Sequence, residues 1–257
     1  MIYTYDDIVN ALKKAGLQRG DSVFVHSNLG YFGKLENCRS AEELSKAFYE
    51  AFIEVVGQDG TLIVPTFTYS FCHNEFFDLN KTPTKCGIFS EYIRNRAESV
   101  RSLDPNFSVT AIGRKAIFFT ENPPHESFGI NCFFERLLNA KGKIACLNFD
   151  CGSTFIHYAE RLFNVPYRYN KAFNGTMTDG TNIIRDYAVH YVYDLEKPET
   201  ATDMTKLDEA CKLHGVAVSV YLGRGIINLM ETEPYLMLIE KSLRKDTNFL
   251  IKGNKRM

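Results

Sequence analysis

Tryptophan is absent from this chain of 257 residues, and no two of its cysteines stand in a Cys-x-x-Cys pair. The first absence leaves aromatic packing to 20 Phe and 14 Tyr. The second, with an odd total of seven cysteines, argues against a disulfide framework and against a zinc knuckle. Cys38, Cys72, Cys86, Cys132, Cys146, Cys151 and Cys211 are therefore read mainly as small core hydrophobes. No window approaches the ~20 continuous apolar residues that span a bilayer, so no membrane partner is expected. The opening "MIYTYDDIVNALKKAG" has neither the basic start nor the apolar core of a signal peptide, and a cytoplasmic location is expected. No long basic run occurs before the C-terminal "IKGNKRM", and the net charge is −1 from 30 basic and 31 acidic residues. A nucleic-acid partner is not expected, since it needs a basic patch. The same balance argues against a polycationic substrate, which favours a strongly acidic cleft.

Several chemical motifs are missing as well. His26, His73, His125, His157, His190 and His214 show no His-x-x-x-His or His-Glu-x-x-His spacing, so no metal is expected. Neither Gly-x-Gly-x-x-Gly nor the phosphate-binding Gly-x-x-x-x-Gly-Lys-Ser/Thr loop occurs. The Gly-x-Ser-x-Gly elbow of α/β hydrolases is absent too.

What is present reads as alternating helix and strand. "TYDDIVNALKKAG" carries a capping residue at its start and Gly16 at its end. Val23 to Val25 form a strand that runs into the loop "HSNLGYFG". Ser40 with Glu43 is a capping box ahead of the apolar stripe Leu44, Phe48, Phe52 and Val55. Residues 61–64 form a second strand, followed by "PTFTYSF". This order predicts a parallel βαβ unit, whose ligands gather beyond the carboxyl ends of the strands. "GKIACLNF" is a further core strand. Asn174-Gly175 and Asp179-Gly180, with alternation through "IIRDYAVHYVY", predict an antiparallel hairpin near 173–194. Residues 204–250 read as mostly helical, with a short β segment in "HGVAVSVYLGRG". The predicted fold class is α/β: a central, mostly parallel mixed sheet flanked by helices, with a β-hairpin excursion, in one domain over 1–257.

Among titratable residues, His157 stands out. It follows a strand and a Cys-Gly-Ser-Thr turn, with Glu160 at i+3 on the same helical face. It either caps and packs the helix or accepts a proton from an incoming nucleophile. His26, Ser27 and Asn28 end a strand, where they either turn the chain or offer polar groups to a ligand. Asp104, ahead of Ser108, reads as a turn residue that could also orient a base or bind an amine.

Taken in order, "GDSVFVHSNL", "GTLIVPTFTYSF", "RSLDPNFSVTAIG", "ESFGINCFFERL", "GKIACLNFDCGSTFIHYAERL" and "VPYRY" resemble the aminoglycoside 3-N-acetyltransferase family over nearly the whole chain. The resemblance implies an enzyme that moves an acyl group from acyl-CoA to an amine. Its Thr-x-x-His-x-Ala-Glu pattern falls on Thr154, His157, Ala159 and Glu160. His157 becomes the expected general base, with Glu160, Asp150 or Asp104 to orient it. The coenzyme is expected on His26, Ser27, Asn28, Leu29, Gly30, Thr66, Thr68 and Ser108. Thr68 or the backbone amides of Ser27 to Leu29 would hold the oxyanion. The acceptor is expected on Tyr69, Asp104, Asn131, Tyr167, Arg168 and Lys171, with the two basic residues also candidates for phosphate.

The chain departs from the antibiotic-modifying members at three points. Asp104 replaces a histidine, Asn131-Cys132 replaces Ser-Pro, and Cys151 replaces an Asp, leaving Asp150 one residue earlier. These changes are read as acceptor-facing. The expected acceptor is accordingly a nucleotide-linked amino-deoxy sugar, with a dTDP-sugar favoured and acetyl or 3-hydroxybutyryl as the transferred group. Alternatives are an aminoglycoside acetyltransferase and a non-catalytic sugar- or nucleotide-binding module. The sequence does not decide between a monomer and a homodimer.

Overall fold

A computed structural model describes residues 1–252, so the basic end of "IKGNKRM" beyond Lys252 lies outside the described residues. The chain opens with β1 (Ile2–Tyr3), α1 (Tyr5–Ala15), β2 (Ser22–Ser27), β3 (Lys34–Leu35), α2 (Ala41–Val56) and β4 (Thr61–Pro65). It continues with β5 (Phe77–Asp78), α3 (Ile88–Arg94), β6 (Val100–Arg101), β7 (Val109–Gly113), α4 (Ala116–Thr120), α5 (Phe133–Asn139) and β8 (Lys143–Leu147). Then come α6 (Phe155–Leu162), β9 (Arg168–Thr178), β10 (Ile183–Tyr193), α7 (Thr205–Leu213), β11 (Ala217–Leu222), β12 (Gly225–Glu231) and α8 (Thr232–Lys245).

Seven strands form the main sheet in the order β11-β12-β8-β2-β4-β7-β6. β2 pairs in parallel with β4 and β8, as the βαβ reading requires. The pairs β12·β8, β11·β12, β4·β7 and β6·β7 are antiparallel. The sheet is mixed, and its parallel part is confined to the three central strands. β12 was not anticipated, because "GIINLME" carries no turn signal except the Gly223–Gly225 corner that joins it to β11.

Side-chain alternation divides the interior into two cores. Val23, Val25, Leu62, Val64, Ala145 and Leu147 face α1, α2 and α3 on one side. Phe24, Ile63, Ile144 and Cys146 face α5, α6, α7 and α8 on the other. Successive residues of a strand point to opposite faces, so one short apolar run serves both layers. On α2, Phe48 and Phe52 are fully buried; burying each is worth roughly 1.5–3 kcal/mol. Ser40 caps this helix by accepting from the Glu43 amide, while the Glu43 carboxylate takes the Arg39 amide instead of that of Ser40.

β9 and β10 pair over their full eleven residues as an antiparallel ribbon, longer than the 173–194 excursion expected. Tyr193 is opposite Arg168 at the root of this ribbon, and Ile183 opposite Thr178 near its tip. β5 adds in parallel to β9 near the tip. Phe71, Phe77, Met177 and Ala188 form a third, small core beneath the ribbon. Among the described residues, no helix is long and apolar enough to cross a membrane.

Candidate active site

The turn from β8 into α6 is fixed by polar contacts, not by bulk. Asn148, in the left-handed region at φ 59°, donates to the Asn28 carbonyl at 2.9 Å and accepts from the Ile226 amide at 3.0 Å. Asp208 accepts from the Cys151 amide at 2.9 Å, and Tyr235 donates to the Cys151 carbonyl at 2.6 Å. Ser153 Oγ meets His26 Nε2 at 2.9 Å, tying β2 to the start of α6. Burial pushes His26 down to about 4, so that imidazole is neutral.

α6 then presents His157 and Glu160 one turn apart. His157 Nδ1 is 2.6 Å from Glu160 Oε2. Glu160 is fully buried, and its companion is Arg168 at the root of the ribbon, whose Nε is 2.6 Å from the same oxygen. That contact is ionic in character, since the Arg168 Nε–H is not aligned as a hydrogen bond. The guanidinium donates to Thr202 Oγ1 at 2.7 Å. Burial pushes the Glu160 carboxyl up, but His157 and Arg168 together outweigh it and hold the group ionised. Burial also lowers His157, and the Glu160 bond only partly opposes it. A carboxylate on Nδ1 fixes that nitrogen as the N–H, which leaves Nε2 with the free lone pair. With 19% of its side chain exposed, His157 is reachable from solvent.

Three aromatic rings and a second imidazole complete the surroundings. Phe128 packs edge-on to His157 with centroids 5.5 Å apart. His190, from β10, packs edge-on to Phe107 at 4.5 Å and lies 5.9 Å from Phe128. Tyr69 packs on Phe107 at 5.2 Å and holds φ at +56°, a conformation uncommon for a bulky residue and typical of functional sites.

The other anticipated residues divide by burial. Asp150 is exposed and accepts from the Gly152 amide at 2.9 Å, so Glu160 is the carboxylate on His157. Asp104 Oδ1 takes the Asn106 and Phe107 amides, each at 2.8 Å, and Oδ2 takes the Ser127 hydroxyl at 3.2 Å. Both its oxygens are spent on holding the loop, which corrects its expected roles as orienter and acceptor contact. Asn131, at φ 66°, is exposed and gives its amide to the Glu135 carboxylate at the start of α5.

Burial also corrects several of the expected coenzyme contacts. Leu29 is buried in the core beside α1 and α2. Thr66 and Ser108 are fully buried against each other and Thr110. Thr68 donates its hydroxyl to the Pro105 carbonyl at 2.6 Å, so that proton is not free for an oxyanion. Arg168 is a buried counter-ion of Glu160. Tyr167 places its hydroxyl in the interior beside Glu160, where burial and then the Glu160 charge push it up. Lys171 is exposed and lies over Phe173 at 5.2 Å.

Asn28 and Gly30 stay near the surface, whereas Ser27 Oγ is buried and has no partner among the described residues. Asn28 and Asp150 line an open cleft of about 600 Å³ with Tyr31, Phe149, Lys212 and Arg224. A second cleft, about 530 Å³, lies along α6 and is lined by Glu126, Phe128, Glu135, Tyr158, Arg161 and Tyr187. Arg161 is one turn beyond His157 on the same helical face. His190 was missed as a site residue, although alternation in "YAVHYVY" already set it on the same ribbon face as the buried Ala188.

A neutral imidazole, aligned by a buried carboxylate beyond the carboxyl ends of a parallel strand pair on an α/β scaffold, has the geometry that a general base requires. The aminoglycoside 3-N-acetyltransferase family model matches residues 24–244, and the chain belongs to that family. It is similar to the SPbeta prophage-derived aminoglycoside N(3')-acetyltransferase-like protein YokD of Bacillus subtilis (strain 168), at 27% identity over 64% of this chain and 66% of that protein. It is also similar to aminoglycoside N(3)-acetyltransferase III of Salmonella sp, at 26% identity over 64% of this chain and 63% of that one. The chain thus spans about two thirds of the length of these curated relatives. The fold matches the crystal structure of aminoglycoside acetyltransferase AAC(3)-Xa with a TM-score of 0.82, 20% identity and coverage of 95% of this chain and 93% of that one. It matches AAC-IIIb in binary complex with CoASH with a TM-score of 0.79, 21% identity and coverage of 95% and 97%.

These findings overturn the nucleotide-linked amino sugar as expected acceptor. The matching family and both curated relatives carry aminoglycoside N-acetyltransferase descriptions instead. The three departures that suggested another acceptor have structural explanations. Asp104 braces a loop, Asn131 takes the left-handed backbone that asparagine tolerates ahead of α5, and Cys151 is buried in the core against α7 and α8.

Proposed function

We propose that this chain is an acyl-CoA-dependent N-acetyltransferase that acetylates an amino group of an aminoglycoside. The observation that carries the reading is the His157–Glu160–Arg168 series, in which one buried carboxylate serves an imidazole and a guanidinium at 2.6 Å each. The family and the complex of a fold relative with CoASH support the thioester donor. Because one sheet carries both large cores, the whole of 1–257 is read as one catalytic unit.

The neutral amine of the acceptor attacks the thioester carbonyl carbon. His157 Nε2 takes the amine proton as the C–N bond forms, and Glu160 stabilises the resulting imidazolium. The tetrahedral intermediate expels the CoA thiolate with cleavage of the C–S bond, and the thiolate takes the proton from the imidazolium. No covalent enzyme intermediate is needed. The coenzyme enters along Asn28 and Gly30, where the adjoining cleft with Lys212 and Arg224 offers donors to phosphate oxygens. The acceptor enters from the ribbon side, where Glu126 and Glu135 in the cleft along α6 suit ammonium groups.

The test is thiol release from acetyl-CoA with a panel of aminoglycosides, followed by mass spectrometry of the product. A single added acetyl group on the acceptor is expected. Thiol release at the same rate without any amine would make the protein a hydrolase instead.

A further inference from the structure

His190 and Lys171 are direct cross-strand partners on β10 and β9. Directly opposed residues of an antiparallel pair project from the same face. The same face carries Ala188, which is buried in the small core beneath the ribbon. His190 therefore faces inward, against Phe107 and Phe128, and shares Phe128 with His157.

The chemistry of this pair is one-sided. The Cys72 thiol lies 4.0 Å from His190 Nδ1. Burial, with Asp104 adding to it, pushes that thiol up to about 11, so it is an S–H group. A thiol facing Nδ1 favours the tautomer in which Nδ1 accepts and Nε2 carries the proton. Burial and the neighbouring His157 and Arg168 push His190 down to about 3, so it is neutral. Nε2–H is a donor without a hydrogen-bond partner among the described residues. Lys171, beside it, also offers only donors. The nearby carboxylates are engaged: Glu160 by His157 and Arg168, and Asp104 by Asn106, Phe107 and Ser127.

We propose that His190 and Lys171 form a donor-only subsite that binds a hydroxyl oxygen of the acceptor close to the amine deprotonated by His157. The inference rests on the acyl-transfer reading above and adds a specificity contact to it. An ammonium group cannot accept a hydrogen bond and is repelled by Lys171, so this corner selects oxygen over a second amine. A site built to bond a substrate hydroxyl discriminates against the analogue that lacks it, because its own polar group is left unpaired.

The experiment compares one aminoglycoside that the wild type acetylates with its single-deoxy derivatives, for wild type, His190→Leu, His190→Gln and Lys171→Met. For one derivative the wild type is expected to lose about tenfold in kcat/KM relative to the parent. His190→Leu should turn over parent and deoxy compound equally within about twofold, and His190→Gln should recover part of the difference. Urea-unfolding midpoints of the variants are the control for folding. Unchanged discrimination in His190→Leu, or an equal loss on every acceptor, overturns the subsite alone. A wild type that acetylates no aminoglycoside overturns the functional reading and this inference with it.

Discussion

His157 and Glu160 stand one helical turn apart, and their side chains close to 2.6 Å between Nδ1 and Oε2. The carboxylate has no contact with solvent, and Arg168 from the ribbon supplies its counter-charge. The relationship assigns the two ring nitrogens before any substrate arrives, and it carries the first two predictions.

Replacing Glu160 by Gln should lower kcat by about 10²–10⁴-fold, because the amide cannot stabilise the imidazolium. The same change leaves Arg168 buried without its partner, which costs about 3–5 kcal/mol of stability. The double variant E160Q/R168Q should regain much of that stability without regaining rate. Urea unfolding and thiol-release kinetics on the same preparations separate the two effects. A double variant with restored kcat would show that the pair is only structural.

The rate should depend on pH through His157. Its folded value is below 6.5, so the neutral base is present throughout the neutral range and the acid limb of kcat falls below pH 6.5. Glu160 raises the imidazole against the effect of burial, so E160Q should move the acid limb to lower pH. A limb that stays in place would mean that another group titrates there.

Stability should fall with acid through His26 and His190. Both are neutral in the fold, held down to about 4 and about 3, whereas in the unfolded chain each protonates near 6.5. Their contribution is fully present above pH 6.5 and is lost as the pH falls towards those folded values. The slope is at most ~1.4 kcal/mol per pH unit for each group. Urea unfolding at pH 7 and pH 5 should give a smaller difference for His190→Gln than for wild type. Equal differences would place that imidazole in contact with bulk water.

Arg101 is the anchor of the loop that follows β4. It donates to the carbonyls of Thr82 at 2.7 Å, Thr66 at 2.9 Å and Leu79 at 3.2 Å, and to Ser108 Oγ at 3.1 Å. Arg101→Met should cost about 2–4 kcal/mol, since several buried acceptors lose their donor together. The loss is read from the denaturant midpoint at constant m-value. A loss below about 0.5 kcal/mol would mean that water replaces the guanidinium without penalty.

The order of helices and strands was legible because two-residue alternation and capping signals agree locally. Val23 to Val25, Gly16 and Ser40 each specify their surroundings without help from distant chain. His157 and Glu160 were legible for the same reason, since an i, i+3 spacing inside one helix needs no tertiary information. Arg168 was not. Its partner Glu160 sits eight residues earlier on another element, and a basic residue after "VPY" reads equally well as a solvated turn. Thr66, Thr68 and Ser108 misled because a hydroxyl at a strand end looks the same whether it meets a ligand or a neighbouring carbonyl. The carboxylate of Asp104 was likewise visible in sequence, but the two amides and the hydroxyl that occupy it were not.

The β9–β10 ribbon is held at three levels. Arg168 ties its root to the helix that bears His157, His125 holds Asp186 and Val189 midway, and β5 pairs with Met177 and Thr178 near the far end. The Asp179-Gly180 turn extends past the last of these ties. Changes of sequence in that turn are therefore the ones that disturb the seating of His157 least.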